Sequence, residues 1–257
     1  MIRQLVRKRR RTVLVDIDTQ RDFFLAEGRA CIRNHRRILA RIRRVMAWAR
    51  TRNIPIISTC EVHPNNGNGN GKGYTYCIDG TQGQKKIRYT VIGNRITFSA
   101  DGNTDLPTDL LLRYHQVILH KRCVDPFCEP RIERLLSEIR ADEFILIGAT
   151  IEGAVEATAL GLLQRGKKVK VLVDALGQHD NRAARLALRK MEAKGAKLIE
   201  TRKLVGISHL RVVRLCKCEQ CRRRSKRGGW EAPRGGNEAT SFSKSEAAKT
   251  DERTGQF

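Results

Sequence analysis

The chain has 257 residues, enough for one large α/β domain or two small ones, so core size is not limiting. Hydrophobic residues make up 40% and charged residues 30%, and no apolar run reaches the ~18 residues that a membrane span requires, so a membrane-spanning helix is excluded. Lys and Arg total 51 against 27 acidic residues. That formal charge of +24 makes nucleic acid a candidate partner through the basic termini, although aromatics are only 5% and no nucleic-acid module is visible.

The N-terminus, "MIRQLVRKRRR", reads as a basic arm over residues 1–11. It leads directly into a strand carrying Asp16 and Asp18 and has no uncharged segment of the kind a secretory signal needs, so a cytoplasmic protein is expected. "TVLVDID" (Thr12–Asp18) is a short apolar run ending in carboxylates, hence a buried strand. After the loop "TQRDFFLAEGRA", residues 31–53 place Ile32, Ile38, Leu39, Ile42, Val45 and Met46 at helical spacing, with arginines largely around the other side. "IPIISTC" (Ile54–Cys60) is the second strand, with Pro55 near its start, where a missing N–H matters least.

Residues 64–75 form a glycine- and asparagine-rich loop too irregular to cradle a phosphate. "IRYTVIGNRITF" (Ile87–Phe98) is β-branched on both sides of Gly93-Asn94 and predicts a hairpin insertion. A regular alternation follows. Strands are expected at Gln116–Lys121, Glu143–Gly148, Lys168–Asp174 and Ala196–Thr201, separated by helices at Glu129–Arg140, Glu152–Gly166 and Asn181–Gly195, two of them closed by glycine. Such alternation implies a three-layer α/β/α sandwich, Rossmann-like, around a six-stranded, mostly parallel sheet within residues 12–204. From Val205 the pattern decays, and residues 205–257 read as a basic, cysteine-containing tail, largely disordered.

In an open parallel sheet, ligands bind beyond the carboxyl ends of the strands. There the sequence places Asp18 after the first strand, Glu61 and His63 after the second, Lys121 after the third, and the turn "GATIEGA" (Gly148–Ala154) where the fourth meets a helix. An acid, an ammonium and a helix start thus converge on one rim. Asp18 and Lys121 could equally be a structural ion pair, since removing one partner of a buried pair strands the other's charge.

Several of these segments carry a resemblance. "VDIDTQRDFF" is similar to the "ID-x-Q-x-DF" opening of the isochorismatase-like hydrolases, the superfamily of nicotinamidases and other cysteine hydrolases. "CIDGTQG" resembles their "C-x-x-GT-x-G", "HKRCVDPF" their "K-x-x-x-S-x-F", and "GATIEGAVEATALGLLQRGKKVKVLVDA" their long segment through the "CV-x-x-TA" helix. The likeness runs from Thr12 to Thr201.

The resemblance implies a hydrolase acting on a small molecule and a homo-oligomer. The family's cysteine enzymes use an aspartate, a lysine and a cysteine; by motif position these fall on Asp18, Lys121 and Ala154. In such a site the lysine lowers the thiol's pKa, the aspartate takes its proton, and backbone amides at the helix start hold the oxyanion. A methyl group cannot attack a carbonyl. The family's isochorismatases also lack the cysteine and cleave a vinyl ether, which needs proton delivery and water; Asp18 with Lys121 could serve that chemistry. Cys123, two residues after Lys121, is a candidate substitute thiol. Phe23, Thr150, Glu152 and Gly153 are the expected substrate-binding residues. The alternative reading is a catalytically inactive member that binds a metabolite, a protein or a polyanion.

Nicotinamidases of the family bind zinc through "D-x-H" after the second strand and later histidines. Here Glu61 and His63 stand in that register, but Tyr76 holds the place of a histidine, and two ligands do not close a site. The tail sequence "CKCEQC" offers Cys216, Cys218 and Cys221, with His209 upstream, as a candidate zinc site; no other cofactor is implied.

Overall fold

The computed structural model describes residues 10–65 and 74–206. Most of the basic arm, most of the glycine-rich loop, and His209, Cys216, Cys218 and Cys221 lie outside the described residues. In chain order the elements are β1 (Arg10–Ile17), α1 (Arg21–Phe24), α2 (His35–Thr51), β2 (Ile56–Glu61), a 3-10 turn (Arg88–Thr90), β3 (Arg95–Phe98), α3 (Leu110–Arg113) and β4 (Gln116–Lys121). After a second 3-10 turn (Pro126–Cys128) come α4 (Pro130–Glu138), β5 (Ala141–Gly148), α5 (Glu156–Gln164), β6 (Val169–Leu176), α6 (Asn181–Ala193), β7 (Lys197–Ile199) and α7 (Thr201–Val205).

The strands form one parallel sheet in the order β3-β4-β2-β1-β5-β6-β7. It has seven strands, where six were expected. The seventh is β3, half of the expected hairpin, and the hairpin itself is not formed. The residues before Gly93 do not pair with those after it, because their polar groups are engaged elsewhere. Ile87 N–H donates to Thr19 O, Ile92 N–H donates to the Gln116 side chain, and Gln116 Nε2 donates to Thr90 O. Arg95–Phe98 is left free to add to the edge beside β4.

Alternate residues of the strands feed two cores. On one face Val13, Val15, Val117, Leu119 and Leu146 pack under α3, α4, α5 and α6; on the other Leu14, Ile56, Ile145, Ile147 and Leu172 pack under α1 and α2. Helix α2 explains its own placement. Ile38, Ile42, Val45, Met46 and Ala49 recur at spacings of three and four and are all buried. Fully burying aliphatic side chains of this size stabilises by roughly 1.5–3 kcal/mol each. Among the described residues, no helix is long and apolar enough to cross a membrane.

Candidate active site

The strand order brings β4, β2, β1 and β5 side by side, so the ends of these four neighbours share one rim. Asp18 follows β1 in the left-handed backbone region, φ 46°, which aspartate tolerates better than most residues. Its Oδ2 lies 2.8 Å from Lys121 Nζ at the end of β4, and its Oδ1 accepts from Thr59 Oγ1 at 2.7 Å. Glu61, at the end of β2, stands between them in the sheet, with Oε2 3.6 Å from the same ammonium. Lys121 Nζ also donates to Cys123 O at 3.0 Å. Both charged groups of the closer pair are essentially sealed from solvent, at 0% and 1% side-chain exposure.

Burial pulls the Lys121 ammonium toward neutrality, but the Asp18 and Glu61 carboxylates and the Asp18 hydrogen bond outweigh it, so its pKa ends above the ordinary lysine value. The site therefore holds a cation clamped by two acids.

On its far side Glu61 meets an aromatic group. Its Oε1 lies 2.8 Å from His63 Nε2 and accepts from Tyr76 Oη at 3.2 Å. Burial, then the Glu61 charge and this hydrogen bond, push the Tyr76 phenol up, so it remains a donor. Tyr74 stacks on His63 at 3.5 Å between centroids, and Phe23 meets Tyr76 edge-on at 5.4 Å and lies 6.3 Å from His179. Phe23 itself is buried in the core beneath α1 and α2. Glu61 and His63 face each other, and among the described residues no group of three or more His, Cys, Asp or Glu could hold a metal ion. The donor set does not fit a zinc ion.

The turn after β5 is built by backbone constraint. Gly148 has φ 125°, and a Cβ there would fall 1.8 Å from Ile17 O, so this position needs glycine as the β5 end crosses close to β1. The Ala149–Thr150 peptide is cis. Thr150 O then accepts from both Gly153 N–H and Val155 N–H, making a wide five-residue turn over Ile151–Val155 before α5. The expected helix from Glu152 therefore becomes regular only at Glu156. A Cβ at Gly153 would meet Thr150 Oγ1 at 2.7 Å, so a side chain there would force that hydroxyl to turn away. Ala154 is buried in this turn. Glu152 has a structural task, its Oε1 accepting from His179 N–H at 2.7 Å and Asp180 N–H at 3.1 Å.

Cys123 is not an activated thiol. It hydrogen-bonds to Asp125 O within its own turn, and burial followed by the Cys128 side chain pushes its pKa up to about 11. Lys121 reaches its carbonyl oxygen instead. The next loop is pinned to α5: the Phe127 ring occupies the space a side chain at Gly161 would need, 2.1 Å from the position of its Cβ, and Arg165 lies over the ring at 4.1 Å.

Several rim residues carry no signal in the sequence beyond their place in a motif. Gln20 clamps β1 to β2, its Nε2 donating to Glu61 O at 2.6 Å and its Oε1 accepting from Glu61 N–H at 2.9 Å. Asp22 accepts from Cys77 N–H at 2.6 Å, and Gly83 lacks a side chain where that carboxylate sits. Beneath the rim lies a second buried ion pair, Asp16–Lys86 at 2.9 Å. Ser58 and Gln116 extend it, while Lys86 Nζ also donates to Thr19 Oγ1. Cys60, enclosed among these charges, is driven up to about 12 by burial.

Residues 12–203 match the Isochorismatase domain model. No curated protein matches the chain. Among solved structures it is similar to the pyrazinamidase of Pyrococcus horikoshii in complex with zinc, at 22% identity, covering 74% of this chain and 98% of that one, with a TM-score of 0.58. It is similar to an isochorismatase family protein from Desulfovibrio vulgaris subsp. vulgaris str. Hildenborough, at 20% identity, 76% and 96% coverage, and a TM-score of 0.60. It is also similar to the MAR1 ribonuclease from Caenorhabditis elegans, at 21% identity, 78% and 82% coverage, and a TM-score of 0.51. At these identities the structural likeness establishes the fold.

Proposed function

The chain belongs to the isochorismatase family, and from that premise we propose that it is a hydrolase of a small molecule that works by proton delivery and water, without a cysteine nucleophile. The observation that carries this reading is the buried Asp18–Lys121 pair, 2.8 Å apart on neighbouring strand ends, with Glu61 on the same ammonium. By motif register the nucleophile position falls on Ala154, which has no attacking atom. What remains is an acid–base pair. Asp18 is the proton carrier, and Lys121 sets its charge. A vinyl ether suits this equipment: a proton on its far vinyl carbon makes an oxocarbenium ion, water adds to the oxygen-bearing carbon, and the hemiketal collapses to a ketone and the released alcohol; an amide that must form a thioester does not suit it. Phe23, Tyr74 and Tyr76 supply an apolar wall for a planar substrate.

The second reading, a member that binds without turnover, rests on Ala154 alone. A panel of vinyl ethers including isochorismate, carboxamides and carbamoyl compounds separates the two, assayed with the protein, Asp18→Asn and Ala154→Cys. Vinyl-ether turnover abolished by Asp18→Asn is the expected result. No turnover by the protein, with amide turnover appearing in Ala154→Cys, would replace the proposal with the second reading.

A further inference from the structure

The solvent side of α2 carries a row of arginines. Between Glu27 and Glu61 the sequence has nine arginines and no acidic residue. Arg36, Arg43 and Arg50 recur every seven residues and are all exposed, with only Ala40 and Ala47 between them on that line. On an α-helix the three lie along one stripe about 21 Å long. Arg37 adds to its N-terminal end. Among the described residues, Arg36, Arg37 and Arg50 form no ion pair; Asp174 engages Arg41, off the stripe. Two of the arginines sit in the first helical turn, where the backbone dipole disfavours cations. Folding does not explain this pattern, since like charges without partners destabilise a helix slightly.

Beside the stripe stands an aromatic ring. Tyr89, in the turn after Lys86, is 49% exposed, and the Arg43 guanidinium lies over it at 5.0 Å. Arg88 is its exposed neighbour. A row of guanidinium groups next to an available π-face has the two parts needed to hold a single strand: charges that follow a phosphodiester backbone and a ring on which an unpaired base stacks. A duplex offers no base face to Tyr89.

We propose that α2 and Tyr89 form a binding surface for single-stranded nucleic acid, separate from the Asp18–Lys121 rim. The full-length protein is titrated with a labelled 16-nucleotide single-stranded RNA, the matching DNA, and phosphatidylserine vesicles, over a range of salt. Affinity for the RNA should fall with salt. Replacing Arg36, Arg43 and Arg50 together by alanine should reduce the slope of log K against log salt by about 2, at about 0.7 per lost phosphate contact. These exposed changes favour helix, so the variant folds, as circular dichroism can check. Tyr89→Leu should weaken binding about 5- to 100-fold without changing the slope. RNA bound more tightly than DNA assigns a contact to the 2′-hydroxyl; equal binding assigns the site to backbone and stacking alone. A triple variant with the original slope places binding on other basic segments and overturns the proposal, as does vesicle binding without RNA binding. Unchanged affinity in Tyr89→Leu overturns the single-strand assignment.

Discussion

The rim and α2 treat charge in opposite ways. At the rim Asp18, Lys121, Glu61, Asp16 and Lys86 are buried, and each ammonium lies against at least one carboxylate within 3 Å. On α2 the stripe arginines Arg36, Arg43 and Arg50, with Arg37, are exposed and face no acid among the described residues, Asp174 engaging Arg41 instead. The difference follows from the medium. Removing a charge from water costs several kcal/mol unless a partner and hydrogen bonds replace the solvent, so buried charges must be matched locally. An exposed charge keeps its hydration and needs no partner to let the protein fold. The buried set is thus fixed by folding, whereas the exposed set is free to be fixed by whatever binds.

The largest expected effect tests the buried side. Lys121→Met strands Asp18 and Glu61 in the interior and should lower stability by about 3–5 kcal/mol in urea unfolding. Adding Asp18→Asn to it should recover much of that loss. A single variant as stable as the parent would mean that these carboxylates reach water.

A smaller effect is alkaline. The folded state holds the Cys60 proton up to about 12, whereas an exposed thiol releases it near 8.5. Below that ordinary value both states are protonated and the contribution is complete. Between there and about 12 the unfolded chain binds fewer protons, so stability falls as pH rises, by at most about 1.4 kcal/mol per pH unit from this group. Cys60→Ala should remove that part of the slope, measured as the difference between the two unfolding profiles. Identical slopes would show that Cys60 exchanges its proton freely.

The smallest effect is on the other side of the comparison. Substituting Arg36, Arg43 and Arg50 by alanine should shift unfolding free energy by no more than about 0.5 kcal/mol per site, toward greater stability. A large loss would show that the stripe holds the helix in place and would erase the contrast.

Much of the fold was legible because the strands and long helices declare themselves by period. The buried face of α2 and the run Gln116–Lys121 read directly. Strand β3 did not, because four half-exposed residues beside Gly93-Asn94 carry the same local pattern as one arm of a hairpin. Only the distant demand of Gln116 for Thr90 and Ile92 decides between them. Helices α1 and α3, four residues each, are too short to show a period. At the site, Asp18 and Lys121 were legible as polar ends of apolar strands. That Glu61 shares their ammonium depends on β2 lying between β1 and β4, a matter of strand order that no local pattern encodes. The bonds of Glu152 Oε1 to the loop at His179 were not legible either, since they join residues 27 and 28 positions apart.

The missing side chain at Gly161 has a reach beyond α5. Phe127 fills that notch, and Phe127 belongs to the same short loop whose carbonyl at Cys123 receives the Lys121 ammonium. A methyl group at 161 would evict the ring and tug on the loop that steadies the lysine. A position forty residues away from Lys121 in sequence, and in contact with none of the reacting groups, is therefore one where natural or engineered variation would retune the rim.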